Sequence, residues 1–391
     1  MQLTFDADVE AFRAEFIAFL DENLPSEAVA AERSRSSSHV PEWARRWQRM
    51  QFDEGWLLPG NSPEFGGRNA TLFQQFVHRE ELSRRKLYLT FNPQGVGIIA
   101  ASLLSFGSDA QKQQWAVPIL RAELTASLGM SEPGAGSDLA GLQTRAVLDG
   151  DHFVVNGQKV WTSGAHDADV LLTFVRTDPS APKHKGISVL LIPTDTPGVD
   201  RRPFASIYDR EHLDFNEVFF NDVRVPAENL VGPLNGGWGV ANGSLGHERT
   251  MLWMSFADRL RDLVDDFHPT TTLERDSYAT LVMDDLALRL LGSAALAREA
   301  RGEGDVAALS VLKVLGSEAE QAASGHALGA AGLEGLVDPA RTAPHNPYRI
   351  DQYSAGWFAR YAGSFAGTIS GGTSEIQRNI IAQRVLGLPR G

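Results

Sequence analysis

The 391-residue sequence contains no cysteine. Disulfides, zinc–thiolate sites and cysteine nucleophiles are therefore excluded. It also lacks any run of about 18 apolar residues, so no segment reads as a membrane span. The opening stretch "MQLTFDADVEAFRAEF" has no basic region followed by an apolar core. No signal peptide is expected, and the expected location is the cytoplasm. Positive charge is in short supply: 36 Lys and Arg face 49 Asp and Glu, for a net charge of -13. That balance argues against nucleic acid as a partner, because phosphate contacts need a basic field. An anionic small molecule stays compatible where a few cations gather locally. The 10 histidines show no ligand spacing. His247-Glu248 lacks the second histidine of a metalloprotease helix, because Met251 stands in its place. No metal site is expected, and neither GxSxG nor a P-loop occurs.

What is present is the composition of a globular protein, with 43% hydrophobic and 22% charged residues. The length suits two or three packed units. Residues 1–124 read as a helical domain, because "VEAFRAEFIAFLDENLP", "PEWARRWQRMQFDEGWLLP" and "TLFQQFVHREELSRRK" carry the helical apolar period. "GVGIIAASLLSFG" is apolar nearly all round, as a buried helix would be. Residues 125–234 read as a β domain. "TRAVLDGDHFVVNGQKVW" suggests two strands joined at Asp149-Gly150-Asp151, with a second turn at Asn156-Gly157. "DVLLTFVRT", "GISVLLIPT" and "EVFFNDVRVP" are further short strands. Residues 235–391 return to helical period, interrupted by "FHPTTTLERDS" and by a Gly/Ala/Pro-rich region from about 325 to 349. The expected fold class is α+β, in the order helices, strands, helices.

Four stretches could carry chemistry. In "GMSEPGAGSDLAG", glycines at 134, 136 and 141 free the backbone to approach a ligand, and Ser131 and Ser137 add hydroxyls. Leu139 stands where a dinucleotide fingerprint needs its third glycine, and strand rather than helix follows, so a Rossmann site is rejected. The plain alternative is a glycine-rich turn. "GQKVWTSGAHDADV" sets Trp161 beside Thr162 and Ser163, which suits a planar heterocycle, although a single tryptophan is more often core. In "SGGTSEIQR", two glycines precede a helix capped by a hydroxyl, which a plain capped helix explains equally. Finally, "SLGHERTMLWMSF" puts Leu245, Glu248, Leu252 and Phe256 on one helical face, continued by Leu260, Leu263 and Phe267. A carboxylate on a face built for burial is either a mis-phased surface residue, half of a buried ion pair, or a reactive group.

Together these stretches resemble the acyl-CoA dehydrogenase family. "GMSEPGAGSDLAG" matches the family's first signature at every constrained position, "VNGQKVWTSGA" and "DFNEVFFNDVRVPAENLVG" look like its middle-domain strands, and "GGTSEIQRNIIAQRVLG" looks like its C-terminal FAD-binding loop and helix. The resemblance implies an N-terminal helical domain, a middle β domain and a C-terminal helical bundle. It gives Leu128, Met130, Ser131, Gly136 and Ser137 to one wall of an FAD site. It sets Trp161 on the flavin and Ser163 near N5, with Thr373 and Glu375 in the segment that closes over the cofactor. The family's most familiar catalytic glutamate corresponds to Gly371 here. A branch that includes isovaleryl- and long-chain-type enzymes carries the base on the first C-terminal helix as a Glu-Arg pair, which corresponds to Glu248-Arg249.

The implied reaction is α,β-desaturation of an acyl-CoA thioester to the trans-2-enoyl-CoA, a step of the β-oxidation type. Glu248 would take the α-proton, flavin N5 the β-hydride, and the Gly371 N–H would donate to the thioester oxygen. Burial among Leu245, Leu252 and Phe256 is expected to raise the pKa of Glu248. Implied partners are an acyl-CoA, an electron-transfer flavoprotein as acceptor, and further subunits, in a homotetramer, homodimer or heterotetramer with a related chain. The chain departs from the family where "HALGAAGL" supplies His326 and Ala330 in the second signature, and where no Arg-x-x-Phe-Gly is recognisable in "LERDSYATLV". These losses are compatible with heteromeric members that hold fewer flavins than subunits. An oxidase on the same scaffold and a non-catalytic subunit remain as alternatives. The acyl group leans towards bulky or branched chains.

Overall fold

The computed structural model describes residues 5–207, 213–304, 306–337 and 356–389, with the side chains of 242, 244–252 and 306 outside the description. It forms two compact units, Met1–His247 and Glu248–Gly391.

The first unit opens with α1, Ala7–Asn23, whose apolar residues fall three and four apart. Val9, Phe12, Phe16 and Leu20 therefore share a face, and all four are buried. They meet Trp47 of α2 (Glu42–Asp53), Trp56, and Val77 and Leu82 of α3 (Leu72–Arg84) in one cluster. A capping box fixes the start of α3: the Thr71 hydroxyl accepts from the Gln74 N–H, and the Gln74 side chain returns the bond. A π-helical stretch, Gly95–Ala100, then runs into α4, Ala101–Phe106. Two short helices follow, α5 (Asp109–Gln111) and α6 (Val117–Leu120), joined by a second π-helical stretch.

Seven strands form one sheet: β1 Ala126–Gly129, β2 Arg145–Asp149, β3 His152–Lys159, β4 Val170–Arg176, β5 Ile187–Pro193, β6 Val199–Phe204 and β7 Phe215–Pro226. β5 pairs antiparallel along all of β4, leaving the other edge of β4 to β1 and then to the start of β2, both parallel to it. From β2 the order continues through β3 and β7 to β6 in antiparallel pairs. Alternation along β4 divides its side chains between two cores. Val170, Leu172 and Phe174 pack with Val96, Ile99, Leu103, Ile119 and Leu120 of the helical segment. Leu171 and Val175 join Phe153, Val155, Val218 and Phe220 in the other core. The helices before the sheet and the sheet itself therefore share a core.

The hairpin expected at Asp149-Gly150-Asp151 is present, with Asp149 paired to His152 and Gly150 at φ +65. The turn expected at Asn156-Gly157 is not. The strand runs on to Lys159, and its register with β7 shifts between Val155 and Gly157, which marks a bulge. A Cβ at Gly157, at φ +149, would lie 2.6 Å from the Thr144 Cα. The Asn-Gly pair serves a kink within a strand rather than a chain reversal. The sequence reading also passed over β1 and β6. The first is four residues long, and the second carries Arg201-Arg202-Pro203 on a half-exposed edge.

The second unit takes up α7, Gly237–Asp266, at Glu248 and continues with α8 (Thr272–Ala300), α9 (Val306–Ala331), α10 (Trp357–Ile369) and α11 (Ser374–Ile380). Phe256, Ala257, Leu260 and Leu263 of α7 are buried, as are Leu281, Leu288 and Leu296 of α8. The helix break expected from about residue 325 comes later, because α9 runs on to Ala331. Gly325 there serves close packing, since a Cβ would lie 3.2 Å from the Tyr361 ring of α10, whereas one at Gly329 would meet nothing within 4 Å. Residues 338–349 of that region lie outside the described residues. Among the described residues, no helix is long and apolar enough to cross a membrane.

Candidate functional site

In the first unit, Leu128, Met130, Ser131, Gly136 and Ser137 follow one another along β1 and the loop beyond it. The loop is closed on itself by reciprocal backbone bonds between Glu132 and Ala135, at 2.9 and 3.0 Å. Gly134 and Gly136 lie at its exposed tip, and a Cβ added to either would meet no atom within 4 Å. Packing inside the protein does not require glycine there. Among the described residues, the N–H groups of Met130, Ser131, Gly136 and Ser137 make no hydrogen bond. A loop of open backbone with unused donors is a cradle for an acceptor-rich ligand.

Trp161 lies just past the end of β3 and is brought beside this loop by the Val160 N–H, which donates to the Ser131 carbonyl at 3.0 Å. Its side chain is 59% exposed, so the core-tryptophan alternative is set aside. Phe204 and Phe215 hold the indole edge-on, with ring centroids 5.2 and 5.5 Å away. The backbone of Trp161 is left-handed, at φ +61, a conformation that only strong flanking contacts maintain in a large residue. Those contacts are present. Thr162 exchanges bonds with Asn216, and the Gly164 N–H donates to the Asp214 carbonyl at 2.7 Å. Ser127 donates its hydroxyl to the Ser163 carbonyl at 2.7 Å, tying β1 to this turn. The Ser163 hydroxyl itself makes no hydrogen bond among the described residues.

Beneath the loop lies a pair that the sequence reading missed. Lys159 is fully buried, and its Nζ donates to Glu132 Oε1 at 2.8 Å and to the Met130 carbonyl at 3.2 Å. The Glu132 carboxylate also accepts the N–H groups of Gln143 and Thr144, at 2.6 and 2.8 Å. Burial lowers the pKa of Lys159 to about 8 against the pull of Glu132. Burial pushes Glu132 upward, but the Lys159 charge and the three donors outweigh it and hold the carboxyl below its usual range. The 2.8 Å contact between the two groups has the geometry of an ion pair. The signal was a lysine two residues on from Gly157 in the inward alternation Phe153, Val155, where a charge is costly.

In the second unit, Gly371, Thr373 and Glu375 fall together at the start of α11. Gly371 and Gly372 are left-handed, at φ +66 and +92, which explains the glycine pair. Gln377 Nε2 donates to the Gly371 carbonyl at 3.0 Å, and Thr373 caps the helix by accepting from the Ile376 N–H at 3.3 Å. Glu375 is exposed, and its carboxyl is held below the usual range by its own N–H and the Thr373 hydroxyl. Glu248 and Arg249 belong to the span of α7, and their side chains lie outside the described residues. Among the described residues, no group of three or more His, Asp or Glu could hold a metal ion. The free N–H groups, the open glycines and the exposed indole do fit a large planar anion such as FAD.

Comparison with known proteins gives the same class. The chain matches "Acyl-CoA dehydrogenase, N-terminal domain" over residues 6–123, the "middle domain" over 127–223 and the "C-terminal domain" over 235–386. It is 34% identical to the acyl-CoA dehydrogenase IpdE1 of Mycobacterium tuberculosis, over 98% of both chains. It is 35% identical to FadE29 of the same organism, over 94% of this chain and 93% of that one. Among solved structures it is similar to the Tcur3481-Tcur3483 steroid ACAD, with a TM-score of 0.79 and 31% identity over the whole of both chains. It is also similar to the ChsE4-ChsE5 complex of Mycobacterium tuberculosis, with a TM-score of 0.77 and 27% identity over the whole of both chains. The fold and the matches define an oxidoreductase of the flavoprotein class. The chain belongs to the acyl-CoA dehydrogenase family.

Proposed function

We propose that this chain is an FAD-dependent dehydrogenase that introduces a trans double bond between Cα and Cβ of an acyl-CoA thioester. The observation that carries the reading is the open glycine loop with unused N–H groups beside an exposed, rigidly held Trp161. FAD, when bound, supplies the acceptor for the β-hydrogen as hydride. Met130, Ser131, Gly136 and Ser137 would hold it with Leu128, while Trp161 covers the ring and Ser163 donates to it. Thr373 and Glu375 of the second unit are also assigned to the cofactor in this proposal.

The rest of the chemistry belongs to the chain. An α-proton beside a thioester is weakly acidic, so its removal needs a base and a donor to the developing enolate oxygen. Glu248 is the base of this proposal, with Arg249 as its neighbour. The Gly371 N–H is the donor, a role that needs no side chain and leaves glycine free to serve. The substrate class is a bulky acyl-CoA carrying a steroid-derived side chain, supported by the similarity to a protein described as a steroid ACAD. An electron-transfer flavoprotein is the proposed electron acceptor. The working assembly is an oligomer, and a heterotetramer with a related chain is supported by the similarity to the ChsE4-ChsE5 complex and by His326 and Ala330 in the second signature.

The test is anaerobic addition of acyl-CoA thioesters to the purified yellow protein. Bleaching by steroid side-chain thioesters, and poorly by straight short chains, is expected. A folded preparation that takes up no FAD, alone or with a related subunit co-expressed, overturns the reading. Rapid hydrogen peroxide formation in air would assign an oxidase instead.

A further inference from the structure

The Lys159–Glu132 pair has no part in the reaction as proposed, yet it lies directly behind the residues given to the cofactor. Lys159 is fully buried, with its Nζ 3.2 Å from the Met130 carbonyl and 2.8 Å from Glu132 Oε1. In a trans peptide the carbonyl of one residue and the N–H of the next point in opposite directions. Drawing the Met130 carbonyl inward onto Lys159 therefore turns the Ser131 N–H outward. The next peptide is fixed as well, because the Ser131 carbonyl accepts from the Val160 N–H at 3.0 Å. Glu132 completes the frame by gripping the chain ahead of β2 through the N–H groups of Gln143 and Thr144. The outward Ser131 N–H has no partner among the described residues.

Stability alone does not account for this arrangement. Taking an ammonium and a carboxylate out of water is expensive, and apolar residues of similar size often stabilise a fold as well or better. An apolar residue cannot, however, pull a carbonyl inward.

We propose that the buried Lys159–Glu132 pair is a positioning device that aims the Ser131 N–H at the flavin. This rests on the FAD reading above. Lys159 and Glu132 touch no reacting atom; they act through the Met130–Ser131 peptide.

Two variants test it: Lys159→Met, and Lys159→Met combined with Glu132→Gln, which removes the unpaired charge the first leaves behind. The readouts are FAD titration of the stripped protein, the absorption band of the bound flavin and its midpoint potential. In the folded double variant the FAD Kd is expected to rise by roughly tenfold or more, the loss of a hydrogen bond to a partly charged acceptor. The flavin band and potential shift with it. A folded double variant with the parental Kd, band and potential overturns the proposal. If neither variant folds, hydrogen exchange in the parent decides. The Ser131 amide should exchange freely without FAD and become protected when FAD saturates the protein; an amide equally fast in both states overturns the proposal. A parent that binds no FAD refutes the functional reading itself, which is a separate outcome.

Discussion

At the scale of single residues, two side chains make opposite demands on fold and function. Trp161 is left-handed and largely exposed: its flanking contacts hold it in place, but burial gives no reason for a large aromatic there. Replacing it with glycine relieves a backbone cost of about 1–2 kcal/mol but removes two edge contacts with Phe204 and Phe215, worth about 1 kcal/mol each. The two effects nearly cancel, so the melting temperature of Trp161→Gly should stay close to that of the parent without flavin. FAD affinity should fall, and calorimetric titration beside the melting curve separates the two. Glu248 makes the complementary case. Glu248→Gln should keep the fold and the bound flavin but reduce substrate-driven flavin bleaching by about 10²–10⁴-fold, the usual loss with a general base. Near-parental reduction in a stopped-flow experiment would remove Glu248 from the mechanism.

At the scale of elements, His78 on α3 ties the helical layer to pH. It is buried, with Phe16 4.2 Å away and Trp56 stacked parallel at 6.4 Å, and burial lowers its pKa to about 3. The unfolded chain binds a proton there near pH 6.5, while the folded one stays neutral until about pH 3. Between those values the unfolded state holds more protons, so stability falls as pH drops from 6.5 towards 3 and is fully present above 6.5. His78→Gln should flatten that dependence in urea melts at pH 7 and pH 5, whatever it does to stability at neutral pH. The bulge in β3 gives a second element-level prediction. Gly157→Ala places a methyl against the Thr144 backbone at φ +149, and a loss of about 1–3 kcal/mol is expected in the same melts.

These elements also mark how much of the molecule was legible in its sequence. The α1 face, the hairpin at Gly150 and the glycine loop could be read because each leaves a local trace: a period, a turn pair or a run of small residues. The bulge could not, because Asn-Gly serves turn and bulge alike until the partner strand is known. Lys159 and Glu132 lie 27 residues apart, and only the pairing of β3 beside the loop joins them. The tryptophan's exposure was equally invisible, since composition carries no information about which aromatic stays outside.

At the scale of the whole molecule, the second unit bears on assembly. α8 leaves Met283, Leu286 and Leu290 exposed at helical spacing, with Val282 and Leu291 beside them. A contiguous apolar stripe of this kind marks an interaction face, and the proposed oligomer would cover it. Leu286→Glu with Leu290→Glu should lower the mass seen by light scattering without changing the helical content. A parent that is already monomeric, alone and with a related subunit, would dismiss the stripe as an interface.

The core shared by the helical segment Val96–Leu120 and strands β4 and β5 also governs how the chain can be born. On the ribosome those helices emerge well before the strands that complete their interior, and until β5 is out they present Val96, Ile99, Leu103 and Ile119 to water. Domains that finish late in synthesis expose apolar surface to whatever is nearby. A nascent chain stalled with residue 124 just outside the ribosomal exit tunnel should therefore stay sensitive to protease and hold chaperones, whereas one stalled with all of β7 outside the tunnel should have shed them.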